Sequence, residues 1–202
     1  MKLIEGPLKA SPDETRARIL AAARELFALK GTRGTTTREV ADKAGVNEAT
    51  VFRHFGTKHA LLHEMLDHYC ESRDQMRVTV ESLQGSLVDQ LCTIGHMAID
   101  GIKRKEDLIR IGLAEQLTDP DASAMTWRTP VGALSLLSDY MQKRIDAGEF
   151  SGDPELLARA FMSFWFSYVL GRKIWNFPDE PDDRDRVVRQ CVELFLNGAR
   201  SR

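Results

Sequence analysis

The feature that most constrains the fold of this 202-residue chain is a glycine turn between two short helical segments, "TREVADKA" and "EATVFRHF". Thr36 and Glu39 can form a capping box at the start of the first segment, and Asn47 can cap the second. Gly45 lies where the end of a helix needs a left-handed residue. Apolar residues of the two segments and of the turn between them would hold two helices at a steep angle: Val40, Ala41, Val46, Val51 and Phe55.

This pattern is typical of a helix-turn-helix, whose second helix enters the major groove of DNA. Residues 1–60 carry eleven Lys or Arg against seven Asp or Glu, whereas the rest of the chain carries a net charge of −6. Arg38, Arg53, His54 and Lys58 cluster around the two segments. Cationic side chains beside helix N-termini favour phosphate, so any nucleic acid is expected to contact this N-terminal part.

Helical periodicity and helix caps recur along the chain, and strand signals do not. The first helix begins at "SPDE", where Ser11 caps, Pro12 suits the first turn and Glu14 completes a capping box. Thr57 caps a fourth helix that is predicted to extend toward the late seventies. Longer amphipathic segments follow at about 84–103, 105–117, 130–147, 154–171 and 183–198.

We therefore predict an all-α fold with two parts. Residues 1–56 form an N-terminal three-helix helix-turn-helix domain. Residues 57–202 begin with a linking helix and continue as a larger helical domain.

The remaining bulk features point to an ordinary cytoplasmic protein. Cys70, Cys92 and Cys191 show no metal-ligand spacing and indicate free thiols in a reducing cytosol. We expect no signal peptide, because no apolar leader follows the first charges. The most apolar window, "ARAFMSFWFSYVLG", contains Ser163 and Ser167 and is too short to cross a bilayer. No cofactor and no membrane partner are predicted.

The residues from about Ser11 to Leu62 resemble the DNA-binding domain of the TetR family of one-component transcriptional repressors. The resemblance rests on "RILAAARELFALKG" and "TTTREVADKAGVNEATVFRHFGTKHALL". The rest of the chain matches that family's ligand-binding domain only in size and helical character. The resemblance implies a regulator, expected to be a repressor and not an enzyme. Such a regulator binds a palindromic DNA operator as a homodimer and is released by a small-molecule effector.

The resemblance also assigns roles to single residues. Arg38 resembles a base-reading arginine suited to guanine, and Thr37 resembles a phosphate contact. Positions that face base edges hold Glu48, Ala49 and Arg53. Positions at or near the DNA backbone hold Thr50, Phe52, His54 and Lys58. Two alternatives stay open, namely that His54 only packs at the helix end and that Arg53 is only solvated.

Three residues depart from the family pattern. Phe52 stands where a tyrosine is usual, so a hydroxyl-to-phosphate bond is missing there. Glu48 stands where a basic or polar residue is common, and an acid near phosphate lowers affinity unless it accepts from a cytosine amino group. Thr32 stands where an aromatic residue commonly follows the glycine that ends the first helix.

The last two predicted helices are strongly apolar. A helix that is apolar nearly all round must be buried on more than one face. The resemblance implies that these helices form a four-helix dimer interface through Leu157, Phe161, Trp165, Val188, Cys191, Val192 and Phe195. The alternative is that these residues belong to the core of a single chain.

The effector site is the weakest part of the sequence prediction. An apolar cavity with a few polar groups could be lined by His96, Met97, Gln116, Met125, Trp127, Phe164 and Tyr168. Each of these residues has the alternative of being ordinary core or surface. The predicted effector is a largely apolar small molecule that shifts the spacing of two DNA-binding domains.

Two rival interpretations come from other functional classes. His59, His63 and Asp67 lie four residues apart on one predicted helix face, which is a spacing that can bind a metal and would suit a helical enzyme. The chain contains no nucleophile elbow and no Gly-rich phosphate loop. The second rival is an architectural helical dimer that binds no DNA.

Overall fold

The computed structural model describes residues 11–70, 80–116, 128–171 and 183–199. These ranges contain nine α-helices, one π-helix and no β-strand, which confirms the all-α prediction. The α-helices are α1 Pro12–Lys30, α2 Thr37–Ala44, α3 Glu48–Phe55, α4 Lys58–Cys70, α5 Leu87–Arg104, α6 Glu106–Gln116, α7 Arg128–Asp146, α8 Pro154–Phe166 and α9 Arg184–Ala199. The π-helix, Ser167–Gly171, directly follows α8.

The chain divides into two compact units. The first comprises residues 1–69 and 110–126, and the second comprises residues 70–109 and 127–202. The helix α4 therefore belongs with the N-terminal helices, whereas the sequence-based boundary was placed at residue 56. That boundary stays a prediction about where the DNA-binding function ends.

The first unit is organised by the helix caps that the sequence predicts. Capping boxes are present at Ser11 with Glu14 and at Thr36 with Glu39. The side chain of Thr57 accepts from the backbone N–H of Ala60 at 3.0 Å. The buried apolar side chains of α1 to α4 come from all four helices and are Ile19, Leu20, Ala22, Ala23, Phe27, Val40, Ala41, Ala44, Val51, Phe55, Leu61, Leu62, Met65 and Leu66.

The second unit is built around a core of α5, α7, α8 and α9. Gly95 on α5 allows a close approach, because an added Cβ would lie 2.8 Å from Cζ2 of Trp165 and 3.1 Å from Cγ1 of Val188. The guanidinium of Arg184 pairs with Asp100 at 3.0 Å, and a second nitrogen of the same group donates to the carbonyl oxygen of His96 at 2.8 Å. Packing and polar contacts together hold α9 against α5.

One helix boundary differs from the sequence prediction. The segment 154–171 was predicted as one α-helix, but the α-helical pattern ends at Phe166 and the last five residues form a π-helix. A π-helix bonds each N–H to the fifth carbonyl back, so it widens the turn and changes the direction of the side chains that follow. Periodicity alone does not reveal this change.

In the ranges given above, none of the helices combines the length and the hydropathy that a bilayer crossing requires.

Candidate nucleic-acid interface

The turn between α2 and α3 is set by a left-handed glycine. Gly45 has φ 66° and ψ 40°, and the N–H of Val46 donates to the carbonyl oxygen of Ala41 at 3.0 Å. A residue with a Cβ is strained in this conformation, so glycine is favoured at this position. The turn brings the start of α3 next to the start of α2.

A residue that the sequence analysis did not single out completes this turn. The guanidinium of Arg18 on α1 donates to the carbonyl oxygen of Ala44 from Nε at 3.1 Å and from Nη2 at 2.5 Å. Nη2 also donates to the carbonyl oxygen of Gly45 at 3.1 Å. A cation at a helix C-terminus is favourable, because it meets the negative end of the helix dipole. Arg18 therefore fixes the end of α2 to α1.

The recognition helix α3 has one buried side and one exposed side. Val51 and Phe55 are buried against the first unit, with exposures of 2% and 6%. The opposite side is formed by residue 48 and the residues one, four and five positions after it, because this spacing brings side chains to one helix face. These positions hold Glu48, Ala49, Phe52 and Arg53. Ala49, Phe52 and Arg53 are exposed, and Glu48 is partly buried.

Two arginines on this surface are available for an external partner. Arg38 in the first turn of α2 and Arg53 on α3 are both exposed. No hydrogen bond or ion pair joins either guanidinium to the part of the chain that the structure describes. Two arginines without partners, next to an exposed recognition helix, suit contacts to base edges or phosphates.

Other predicted contacts are engaged within the protein. The hydroxyl of Thr37 donates to Oε1 of Glu48 at 2.5 Å. Oδ1 of Asn47 accepts from both the backbone N–H and the hydroxyl of Thr50 at 2.8 Å. His54 is partly buried, and its ring lies 6.0 Å from that of Phe55.

Lys58 has a role that its sequence position does not reveal. Its Nζ donates to the carbonyl oxygens of Thr32 at 2.8 Å and Thr35 at 3.0 Å, both in the loop between α1 and α2. The predicted phosphate contact by Lys58 stays a prediction, and it would have to use the one N–H of the ammonium group that is not already donated.

Thr32, which stands where the family commonly has an aromatic residue, has a structural role. Its hydroxyl donates to Oε2 of Glu115 on α6 at 2.5 Å.

Charge contacts strengthen the start of α2. Glu39 accepts from the Nζ of Lys30 at 2.6 Å and from the backbone N–H of Thr36 at 2.8 Å. The hydrogen bond from Lys30 and then those from Thr36 lower the pKa of Glu39 to about 2. The carboxylate therefore stays ionised at the end of α1 and the beginning of α2.

The predicted dimer residues are mostly core residues of the second unit. Phe161, Trp165, Val188 and Val192 have exposures of 0%, and Phe195 has an exposure of 7%. Leu157 and Cys191 are partly buried against the same core. Side chains without exposed surface cannot contact a second chain, so the apolar stripes chiefly describe the fold of one chain. The large exposed apolar side chains of α8 and α9 are instead Leu156 at 60% and Leu194 at 64%.

The predicted effector residues are only partly assembled. Phe164 and Tyr168 pack partly buried against the core of the second unit, and Met97 is partly buried on α5. Nε2 of His96 lies 3.4 Å from the carboxylate of Asp185 on α9. Met125 and Trp127, together with the side chain of Gln116, lie outside the described residues.

A separate cavity of about 160 Å³ lies in the second unit, and none of the predicted effector residues lines it. Its wall includes Gln90, Tyr140 and Arg144. The hydroxyl of Tyr140 donates to Oε1 of Gln90 at 3.0 Å, and burial raises the pKa of Tyr140 to about 12. The phenol therefore stays neutral and acts as a hydrogen-bond donor in this wall.

Two of the three histidines of α4, His59 and His63, lie close together. Nε2 of His59 lies 3.0 Å from Nε2 of His63, and Asp67 is exposed. No group of three or more His, Cys, Asp or Glu side chains that could hold a metal occurs in the described residues.

Free cysteines are found at Cys92 and Cys191, and burial raises the pKa of both thiols.

The glycine turn, the buried apolar side chains of α2 and α3, and the exposed Arg38 and Arg53 define a helix-turn-helix DNA-binding regulator. Comparison with known proteins agrees with this class. Residues 19–65 match the family model described as bacterial regulatory proteins of the tetR family. Residues 89–198 match the model described as the AefR-like transcriptional repressor C-terminal domain.

The HTH-type transcriptional regulator YvkB of Bacillus subtilis is 31% identical over 190 residues, covering 91% of this chain and 96% of that protein. A TetR-family transcriptional regulator from Mesorhizobium loti has a similar structure, with a TM-score of 0.78 at 22% identity. That match covers 96% of this chain and all of the other. FadR from Bacillus subtilis, solved in complex with stearoyl-CoA, has a TM-score of 0.74 at 17% identity over 90% of this chain and 98% of that one.

The chain belongs to the TetR family of helix-turn-helix transcriptional regulators.

Proposed function

We propose that this regulator represses transcription by binding a palindromic DNA operator as a homodimer, and that a small molecule releases it. The proposal rests chiefly on the exposed Arg53 of α3 and the exposed Arg38 of α2, both without partners in the described chain. One helix-turn-helix contacts only a few base pairs, so two copies on symmetric half-sites supply the affinity and the length of site.

The proposed DNA contacts fall into two groups. Arg38, Glu48, Ala49 and Arg53 contact base edges. Thr50, Phe52, His54 and the remaining donor of Lys58 lie at the sugar-phosphate backbone, where Phe52 offers 47% of its surface but no hydroxyl. Thr37 was expected to contact phosphate, and its hydroxyl donates to the carboxylate of Glu48.

The proposed dimer uses the outer faces of α8 and α9. Support comes from Leu156 and Leu194, which are 60% and 64% exposed although both helices are otherwise buried on their apolar side. Large exposed leucines on neighbouring helices are a common feature of helical interfaces. The core residues Phe161 and Trp165 then act indirectly, because they hold the helices that carry the interface.

The proposed effector is a largely apolar small molecule bound in the second unit. Support comes from the partly buried Met97, Phe164 and Tyr168, and from the π-helix Ser167–Gly171 that follows α8. Two structural neighbours have names that mention small molecules, since FadR was solved with stearoyl-CoA and FrrA is called flavonoid-responsive. The proposed function requires the protein to act in the cytoplasm, where the operator would be found.

The experiment that tests the proposal is selection of bound sequences from random DNA duplexes, with the wild type and with Arg38→Ala. The wild type is expected to enrich a palindrome of about 15–25 base pairs, which spans roughly two turns of DNA. Arg38→Ala should relax one base position in each half-site and weaken binding by about 1–3 kcal/mol. Absence of any enriched motif at low salt would rule out operator binding.

Release is tested separately by adding a panel of fatty acyl-CoA thioesters and flavonoids to the complex of wild-type protein and selected duplex. At least one compound is expected to dissociate the complex in a saturable manner, because the proposed site binds one apolar molecule in each chain. Unchanged DNA binding across both compound classes would argue against this class of effector and leave operator binding intact.

A further inference from the structure

The hydrogen bond between Thr37 and Glu48 joins the first residue of α2 to the first residue of α3. The hydroxyl oxygen of Thr37 lies 2.5 Å from Oε1 of Glu48, and both residues are partly buried. This bond restricts the rotation of a side chain at the N-terminus of the recognition helix. The N-terminal residues of such a helix are the ones that contact base edges in the major groove.

The bond also removes Thr37 from the phosphate contacts. A threonine hydroxyl has one hydrogen to donate, and here the acceptor is the Glu48 carboxylate. If this donor moved to a phosphate oxygen, which is also an anionic acceptor, the Glu48 carboxylate would lose its partner. Thr37 thus holds Glu48 in place.

Glu48 retains one oxygen for an external donor. No hydrogen bond joins its Oε2 to the described residues, and an ionised carboxylate can only accept. Phosphates, guanine O6 and N7, and thymine O4 are acceptors and repel it. The donors in the major groove are the amino groups of cytosine and adenine. The adenine amino group is flanked by two acceptors, its own N7 and thymine O4, whereas the cytosine amino group has an acceptor, guanine O6, on one side only.

From this geometry we infer that Glu48 selects cytosine at one position of each operator half-site, and that Thr37 is the positioning residue for Glu48. The inference rests on the proposed operator binding and adds the base that this side chain recognises. Glu48 also makes binding more selective, because a carboxylate near the DNA weakens phosphate-driven binding that is independent of sequence.

The test is selection from random duplexes with the wild type, Glu48→Gln and Glu48→Ala. The wild type should keep one cytosine in each half-site with about a tenfold preference over other bases. Glu48→Gln should shift this position toward adenine, because a glutamine amide can bond both N6 and N7 of adenine. Glu48→Ala should lose the preference while its affinity for random duplex rises. Asp42→Asn, which removes an exposed charge from α2, should keep the wild-type motif.

Thr37 is tested by a pair of variants of similar size. Thr37→Val removes the hydroxyl and should reduce the cytosine preference at that single position. Thr37→Ser keeps the hydroxyl and should restore it. A purely structural role would lower affinity evenly over the motif, because it would not depend on the base. Melting curves identify any variant that fails to fold. If Thr37→Val or Glu48→Ala is unfolded, the test rests on Glu48→Gln, which has nearly the same shape as the wild-type side chain.

The outcomes separate the two proposals. A palindrome that is unchanged by Glu48→Gln and Glu48→Ala overturns the assignment of cytosine but leaves operator binding intact. A cytosine preference that survives Thr37→Val overturns the positioning role. If the wild type enriches no motif, both the proposed function and this inference are wrong.

Discussion

Arg18 and Ala44, which are 26 residues apart in sequence, are joined by two hydrogen bonds from one guanidinium to one carbonyl oxygen. The contact lies at the end of α2, where the last carbonyls of a helix have no partner within the helix. It therefore serves both the helix terminus and the glycine turn that follows. The orientation of α3 depends on this residue, although Arg18 itself lies on α1.

Arg18→Ala is expected to destabilise the protein and to weaken operator binding through the position of α3. The loss of charged hydrogen bonds at a helix C-terminus costs about 1–2 kcal/mol, which lowers Tm by roughly 2–8 °C. Thermal denaturation followed by circular dichroism measures the effect. Arg53→Ala is the control, since it has no partner in the described chain and should change operator affinity with little change in Tm. Equal Tm values for the two variants would contradict this role for Arg18.

Glu39→Gln is expected to destabilise the protein in a pH-dependent manner. The pKa of Glu39 falls from 4.5 to about 2 on folding, so its contribution is present above about 4.5 and disappears as the pH falls toward 2. The Tm difference between wild type and variant should therefore be largest near neutral pH and shrink across this acid range. A difference that stays constant from pH 7 to pH 2 would show that the ionised carboxylate is not responsible.

Gly95→Ala is expected to destabilise the second unit. The added methyl group would lie 2.8 Å from the Trp165 ring, which is fully buried, so the helices must move apart at a cost of about 1–3 kcal/mol. Gly101→Ala on the same helix is the control, because nothing lies within 4 Å of its added Cβ. Alanine there should be neutral or stabilise by up to about 1 kcal/mol. Chemical denaturation of both variants gives the comparison, and similar stabilities would refute the close approach at Gly95.

The double variant Leu156→Glu with Leu194→Glu is expected to dissociate the proposed dimer. Two buried carboxylates without partners would oppose association, whereas the folded chain tolerates them because both leucines are exposed. Light scattering coupled to size exclusion measures the mass. Leu29→Glu, at a site that is 79% exposed on α1, is the matched control and should keep the wild-type mass. A double variant with the wild-type mass would place the interface elsewhere.

The local features of the first unit follow directly from the sequence. Ser11, Thr36 and Asn47 cap their helices as predicted, and Gly45 adopts the left-handed conformation that the turn needs. These features are predictable because each depends on residues within three or four positions of one another. The buried positions Val40 and Val51 follow from helical periodicity in the same way.

Contacts between distant residues were not predictable from the sequence. Lys58 and Thr32 are 26 residues apart, and nothing in a local pattern indicates that an ammonium group will bond that carbonyl. Periodicity also cannot tell whether an apolar stripe faces its own chain or a second one, so the interface that the resemblance implied for Phe161 and Trp165 had the core of a single chain as its alternative. The burial of both residues within one chain separates these two cases.

The contacts of Lys58 have a consequence for the smallest fragment that can fold. The loop between α1 and α2 receives two of its hydrogen bonds from the first residue of α4, which follows the recognition helix in sequence. A fragment that ends at Gly56 would contain all of α1, α2 and α3 but would leave the carbonyls of Thr32 and Thr35 without this donor. We therefore expect the first three helices and the beginning of α4 to unfold as one cooperative group. Hydrogen exchange in the loop should report the docking of α4.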